Sequence, residues 1–214
     1  MLRKILDKLL NRNKKERVEE PKPNHNIEAP ELEYIRESYH PPNKKEDKKM
    51  KIDHNLQLSQ NFKLGEYLVS TTARNNGLDN LPNEEHFKNI KSLNNNLIQP
   101  IRSKLGRAIV ISSGYRSPEV NALVGGVPTS QHSLGQAADF VSPNYDNKKL
   151  AEFIIENFDF DQLILEFYNP KDGPNSGWIH LSYNSEGENR NEVISAIRKN
   201  GRTHYVQGLV ENRE

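Results

Sequence analysis

Apolar residues recur along this chain with a helical period in some stretches and a strand period in others, and the switches outline its elements. Leu2, Ile5, Leu6, Leu9 and Leu10 share one helical face, with Arg3, Lys4, Lys8 and Arg12 off it. A helix this short is marginal alone in water, so it predicts something to pack on: its own domain, a membrane surface or a partner protein. Residues 14–55 hold little apolar content and several prolines. Such a segment cannot bury enough apolar surface to offset its ordering entropy, which predicts a disordered or extended linker. Periodicity returns near Leu58. Residues 64–74 read as one or two short helical turns. Phe87, Ile90, Leu93, Leu97, Ile101 and Leu105 form the buried stripe of a longer helix. Asn83 is its N-cap, Glu84 and Glu85 suit its first turn, Pro100 kinks it and Gly106 ends it.

The second half alternates short strands with helices. Residues 108–112 are short and mostly β-branched, with Ile109, Val110 and Ile111 in succession, hence a strand. Ser117-Pro118 opens a helix that runs to Val124 and stops at Gly125-Gly126. Residues 137–141 read as a strand. Asp146 caps an amphipathic helix carrying Leu150, Phe153, Ile154 and Phe158. Strands follow at 160–167 and 177–183, separated by a polar loop at 168–176. Residues 192–199 and 202–207 flank Asn200-Gly201, a hairpin signal. A helix over 190–198 competes, because Val193, Ile194 and Ile197 also fit a helical face. Short strands mixed with helices, without regular βαβ alternation, predict an α+β fold.

Composition adds limits. Hydrophobic content of 34% is low for a fully globular chain, as is a mean hydropathy of −0.87. This predicts an N-terminal arm, 1–57, ahead of one folded domain, 58–214. A net charge of +1 argues against a general polyanion binder, so no nucleic-acid partner is expected. The absence of cysteine excludes disulfides and thiolate metal sites. No apolar run has the length of a membrane span. Lys4, Asp7 and Lys8 interrupt the stretch where the core of a signal peptide would run.

Against that background His132, Asp139 and His180 stand out. Two imidazoles and one carboxylate are enough protein ligands for a catalytic Zn²⁺, which keeps a fourth position for water. On a strand at 177–183, Trp178, His180 and Ser182 share one face, while Ile179, Leu181 and Tyr183 share the other. The first face would line a cleft and the second would be core. Small residues at Gly135, Ala137 and Ala138 let the backbone fold tightly enough for positions 132 and 139 to reach one metal. His25, His40, His54 and His86 fall in the arm or on a helix surface, and His204 in the final hairpin. None of these is expected to serve the site.

The run Ser130-Gln131-His132-Ser133-Leu134-Gly135-Gln136-Ala137-Ala138-Asp139, followed by Trp178-Ile179-His180, resembles the signature of the M15 peptidases. The upstream run Ser113-Gly114-Tyr115-Arg116-Ser117-Pro118, with Asn121 and Val124-Gly125-Gly126, is similar to the subgroup common in phages and prophages. The resemblance covers roughly residues 58–207. It implies a zinc D-Ala-D-Ala carboxypeptidase or a related endopeptidase acting on peptidoglycan peptides, from the host cytoplasm or from a virion. It implies a small antiparallel sheet that carries the zinc cleft, with helices packed against it. It implies His132, Asp139 and His180 as ligands, Ser130 in contact with substrate, and Arg116 binding the substrate or polarising its scissile carbonyl; Trp178, on the cleft-lining strand face, is a further candidate substrate contact.

The general base departs from the family pattern. Many members place an Asp or Glu three residues before the last His, where this chain has Gly177. Other relatives of the fold use a His five before, where it has Asn175. Neither residue can carry a proton. Glu166, at the end of the preceding strand, is the nearest suitable group if strands 160–167 and 177–183 are neighbours, and Asp172 is the fallback. Two functions therefore stand: an active zinc peptidase, and a degenerate domain that binds cell wall or serves in a virion or assembly.

Overall fold

The computed structural model describes residues 52–212. The amphipathic stretch at 2–10 and most of the expected linker, with His25 and His40, lie outside the described residues. Leu64–Leu68 (α1) and Thr71–Asn75 (α2) are the short turns expected over 64–74. Glu84–Leu93 (α3) starts at its cap, where the Asn83 side chain accepts the His86 N–H at 2.8 Å. Asn94–Ile98 then forms a π-helical turn, and Gln99–Leu105 (α4) completes the run. A proline lacks the N–H of a regular turn, and its ring crowds the carbonyl four residues back. The wider turn absorbs this just ahead of Pro100, with the Gln99 N–H reaching back to the Asn94 carbonyl. Asn94 is fully buried there, and its Oδ1 accepts the Tyr67 hydroxyl at 3.0 Å.

The remaining elements are Val110–Ser113 (β1), Pro118–Leu123 (α5), Ala137–Val141 (β2), Asn147–Asn157 (α6), Gln162–Glu166 (β3), Trp178–Ser182 (β4), Glu192–Lys199 (β5) and Arg202–Gln207 (β6). Ser117 and Asp146 cap α5 and α6 through their side chains, as expected. β5 and β6 pair across the Asn200-Gly201 turn, so the helix that competed for 190–198 does not form.

The fold is α+β, with the six strands in one sheet ordered β1-β2-β4-β3-β5-β6. The sheet is not purely antiparallel, because β3 and β5 run parallel. The reason is the short connection at 183–191. It leaves β4 at the end where β3 begins, crosses that end, and starts β5 in the direction of β3. Hydrogen bonds from Asn191 N to Phe160 O at 2.7 Å and from Glu192 N to Asp161 O at 2.9 Å hold the crossing.

Alternation along the strands splits the sheet into two faces. Phe140, Leu163, Leu165, Ile179, Leu181 and Val193 point to one side and join a core with α1, α3, α4 and α6. Burying that face is what holds helices to sheet. Asp139, Ile164, Glu166, Trp178 and His180 belong to the opposite face. Among the described residues no helix is long and apolar enough to cross a membrane.

Candidate metal centre

β2 and β4 pair antiparallel with Asp139 directly opposite His180. Opposed residues share a face, so carboxylate and imidazole meet without any special backbone. His132 arrives from the loop ahead of β2, whose backbone closes on itself through Ser133 N to Ser130 O at 2.9 Å and Gln136 N to Gln131 O at 2.9 Å. Ala137 and Ala138 are fully buried beneath it. The result is three converging donor atoms. His132 Nε2 lies 3.1 Å from Asp139 Oδ1 and 3.1 Å from His180 Nδ1, and His180 Nδ1 lies 2.9 Å from Asp139 Oδ1. All three residues are buried, at 3%, 5% and 7% exposure for His132, Asp139 and His180.

These separations fit a metal better than they fit each other. A tetrahedral ion with ligand bonds of about 2.0–2.1 Å separates its ligand atoms by about 3.3–3.4 Å. The triangle here is a few tenths tighter. The tautomer of His132 also fits. Its Nδ1 lies 2.6 Å from the Gly114 carbonyl, which can only accept, so Nδ1 carries the proton and Nε2 offers its lone pair inward. Burial pushes the His132 pKa down, which keeps the ring neutral. Burial alone would raise the Asp139 pKa, but His132 and His180 outweigh it and hold the carboxyl well below the usual range. A neutral His132 ring and an ionised Asp139 carboxylate are states a divalent cation requires.

One segment, 112–116, supports both first ligands. Its Gly114 carbonyl orients His132. Arg116 Nη2 forms an ion pair with Asp139 Oδ2 at 2.6 Å while its Nε donates to Ser113 Oγ at 3.0 Å. Ser112 Oγ donates to the Asp139 carbonyl at 3.1 Å. The segment is seated against α1, with Tyr115 N donating to Tyr67 O at 2.7 Å. That approach requires glycine at 114, because a Cβ there would lie 2.5 Å from the Tyr67 carbonyl oxygen. Arg116 was expected to meet substrate; two of its donors are taken by Asp139 and Ser113.

Glu166 ends β3 opposite Trp178, two residues along the strand from the Ile164–His180 pair and so on the same face. The condition set on it is met, since β3 and β4 are neighbours and the shared face carries the ligands. Burial first, and the Asp139 charge second, push its pKa up to about 7, against the pull of His180 and Arg116. Asp172 is exposed at the end of a short turn, with its Oδ2 accepting from Asn169 Nδ2 at 2.9 Å. Position 177 admits no side chain: its φ is +64°, and a Cβ would collide with the Glu166 carbonyl oxygen. Asn147 Nδ2 pins this bend by donating to Ser176 O at 3.0 Å and Gly177 O at 3.1 Å.

Ser130 lies half-buried two residues before His132. Trp178 packs its ring edge-on to Phe167, centroids 5.4 Å apart. Its buried Nε1 has no hydrogen-bond partner, yet it sits close enough to Glu166 to favour the ionised carboxylate. His54 and His204 are exposed, and His86 is half-buried with Nδ1 3.3 Å from the Tyr115 hydroxyl. Among the described residues His132, Asp139 and His180 are the cluster able to hold a metal ion.

Several supporting residues carried no signal in the sequence. Asn80 is buried, donates to Leu68 O and Tyr115 O at 2.9 Å each, and accepts the Ser117 N–H at 2.8 Å. Gln131, next to His132 in the loop, donates to Asp161 Oδ2 at 2.7 Å. Asp161 in turn pairs with Arg190 Nη2 at 2.7 Å. A side chain whose partner is a distant backbone carbonyl or a residue 30 positions away leaves no local pattern.

A family model described as Peptidase M15 matches residues 60–182, more than half of the chain. The match takes in the three candidate ligands, Arg116 and Glu166, and stops at the end of β4. No curated protein matches the chain significantly.

Proposed function

This chain belongs to the M15 peptidase family, and from that premise we propose that it is a zinc-dependent peptidase hydrolysing peptidoglycan stem or cross-link peptides. The observation that carries the reading is the buried convergence of His132 Nε2, Asp139 Oδ1 and His180 Nδ1, with a carboxylate on the neighbouring strand of the same face.

Those three atoms would hold the ion. Zn²⁺ bound there supplies a Lewis acid and a water acidified toward neutral pH. Glu166 takes a proton on its carboxylate from the attacking water and returns it to the leaving amine nitrogen. Arg116 acts as a positioning residue, keeping Asp139 Oδ1 turned toward the imidazoles by occupying Oδ2. The Gly114 carbonyl keeps the His132 ring in its binding tautomer. Ser130 and Trp178 flank the cleft where the peptide lies. The likeness to the phage and prophage subgroup supports action on the wall at lysis or from a virion.

The degenerate alternative rested on the missing carboxylate at 177. Glu166 weakens that ground, because it offers a proton carrier from the facing strand. Mass spectrometry of purified peptidoglycan before and after digestion tests the proposal and identifies the bond. Loss of a defined stem-peptide fragment that depends on zinc is the expected result. An unchanged muropeptide profile with zinc-loaded protein rejects it.

A further inference from the structure

Beyond the matched family span, the β5–β6 hairpin extends the face that carries the metal cluster. Glu166 pairs with Trp178 on one side and with Ala196 on the other, so the three form one row across the sheet. Ala196 is fully buried and small, leaving the floor low between Glu166 and the hairpin. Arg198 follows two residues on, hence on the same face.

The Arg198 side chain is held in place. Phe167 adopts a φ of +53° directly after Glu166, with its N–H donated to Ala196 O at 2.8 Å. That bend sets the Phe167 ring against Trp178 on one side. On the other, the Arg198 guanidinium carbon lies 4.7 Å from the Phe167 ring centroid. A guanidinium resting on an aromatic face keeps its in-plane N–H groups for a carboxylate. Arg198 is exposed, and no carboxylate among the described residues forms an ion pair with it. Arg116 differs, since Asp139 and Ser113 occupy it.

From these observations we infer that Arg198, stacked on Phe167 beside Trp178, binds a carboxylate of the substrate peptide and so sets specificity at a distance from the scissile bond. The inference rests on the peptidase reading. One strand spacing across and two residues along place its Cα about 8 Å from that of Glu166. An extended peptide covers that in two to three residues. The substrate class is therefore a peptide with a free carboxylate two to three residues from the cleaved bond. In a stem peptide this is the α-carboxylate of D-Glu or the terminal carboxylate of D-Ala.

The test uses the full zinc-loaded chain and three probes: L-Ala-γ-D-Glu-L-Lys-D-Ala-D-Ala, its D-Glu α-amide and its C-terminal amide. The two amides separate the two carboxylate sources. Trp178 is the single tryptophan of the chain, so its fluorescence reads occupancy without turnover. Wild type should favour the acid over one amide by about fivefold in KM and in fluorescence Kd, the scale of an exposed charge pair. Arg198→Gln should erase that preference with kcat and zinc content unchanged, and Arg198→Lys should keep part of it. An acid-to-amide ratio equal in both proteins, or no preference in wild type, overturns the inference. Arg198-dependent binding without cleavage leaves it standing and rejects the peptidase reading instead. Cleavage with unchanged ratios does the reverse, and neither binding nor cleavage rejects both.

Discussion

Asp139 divides its two oxygens between the imidazoles and Arg116: Oδ1 faces His132 and His180, while Oδ2 meets the guanidinium at 2.6 Å. An arginine in that position acts on the ligand before it acts on any substrate. Arg116→Met should therefore weaken zinc affinity by about 10–100-fold, as removal of a partner behind a metal ligand does. Competition with a chromogenic chelator measures this. Intact zinc affinity with a raised KM would return Arg116 to the substrate role that its family resemblance implied.

Purified protein should carry about one zinc per chain by elemental analysis, given three protein donors and one open position. Chelation should abolish activity. His180→Ala should remove most of the zinc, and His54→Ala, on an exposed residue, should remove none.

Glu166→Gln should keep zinc and fold while losing about 10²–10⁴-fold in turnover. Asp172→Asn should stay near wild type. The pH behaviour has a defined sign. In the zinc-free protein the Glu166 pKa of about 7 lies above its unfolded value, so the folded state holds the proton more tightly. That contribution is fully present below the unfolded value, near 4.5, and is lost as pH rises through 7. Urea titrations of chelated protein should show wild type losing stability relative to Glu166→Gln between those limits. A cation beside Asp139 favours the ionised form of Glu166, so the acid limb of kcat/KM in the loaded enzyme should lie below pH 7.

Asp161 is nearly buried and ties the His132 loop to the β4–β5 connection through Gln131 and Arg190. Burial alone would raise its pKa, yet the Arg190 and Gln131 hydrogen bonds hold it below the usual range. Its stabilising effect is thus present above the unfolded carboxylate pKa and fades as pH falls. Asp161→Ala should cost about 2 kcal/mol by thermal or urea melts at neutral pH, with a smaller difference near pH 3.

Residues 52–214 expressed alone should fold and retain activity on soluble wall peptides, with residues 1–51 serving location. The starting point follows from hydrogen bonds of Leu64 N to Leu56 O and Gly65 N to His54 O, each 2.9 Å. Limited proteolysis of the full chain should cut first ahead of residue 52. An insoluble fragment would make the arm part of the folded unit.

Most elements were legible because their signals are local. Asn83, Ser117 and Asp146 each cap the helix they were read to cap, and Asn200-Gly201 joins the hairpin. His132, Asp139 and His180 were legible from spacing and resemblance together. The parallel β3–β5 pair was not, because alternation along a strand reveals its faces and not the direction of its neighbour. The π-turn was half legible: Pro100 marks trouble in the helix, but the accommodation happens one turn earlier. Gly114, Asn80 and Asn147 support the site through backbone groups distant in sequence, and such bonds require only that the chain already be folded.

Gly177 makes the placement proposed for the proton carrier, at Glu166, a one-way arrangement. With the bend packed against the Glu166 backbone and clamped by Asn147, an acidic side chain introduced at 177 would disrupt the turn that brings β3 and β4 together. Moving the carboxylate to the place many family members use would require rerouting residues 167–177 in the same event. A carboxylate at 177 is therefore closed to this backbone, and the proton carrier proposed on β3 has no substitute at that position.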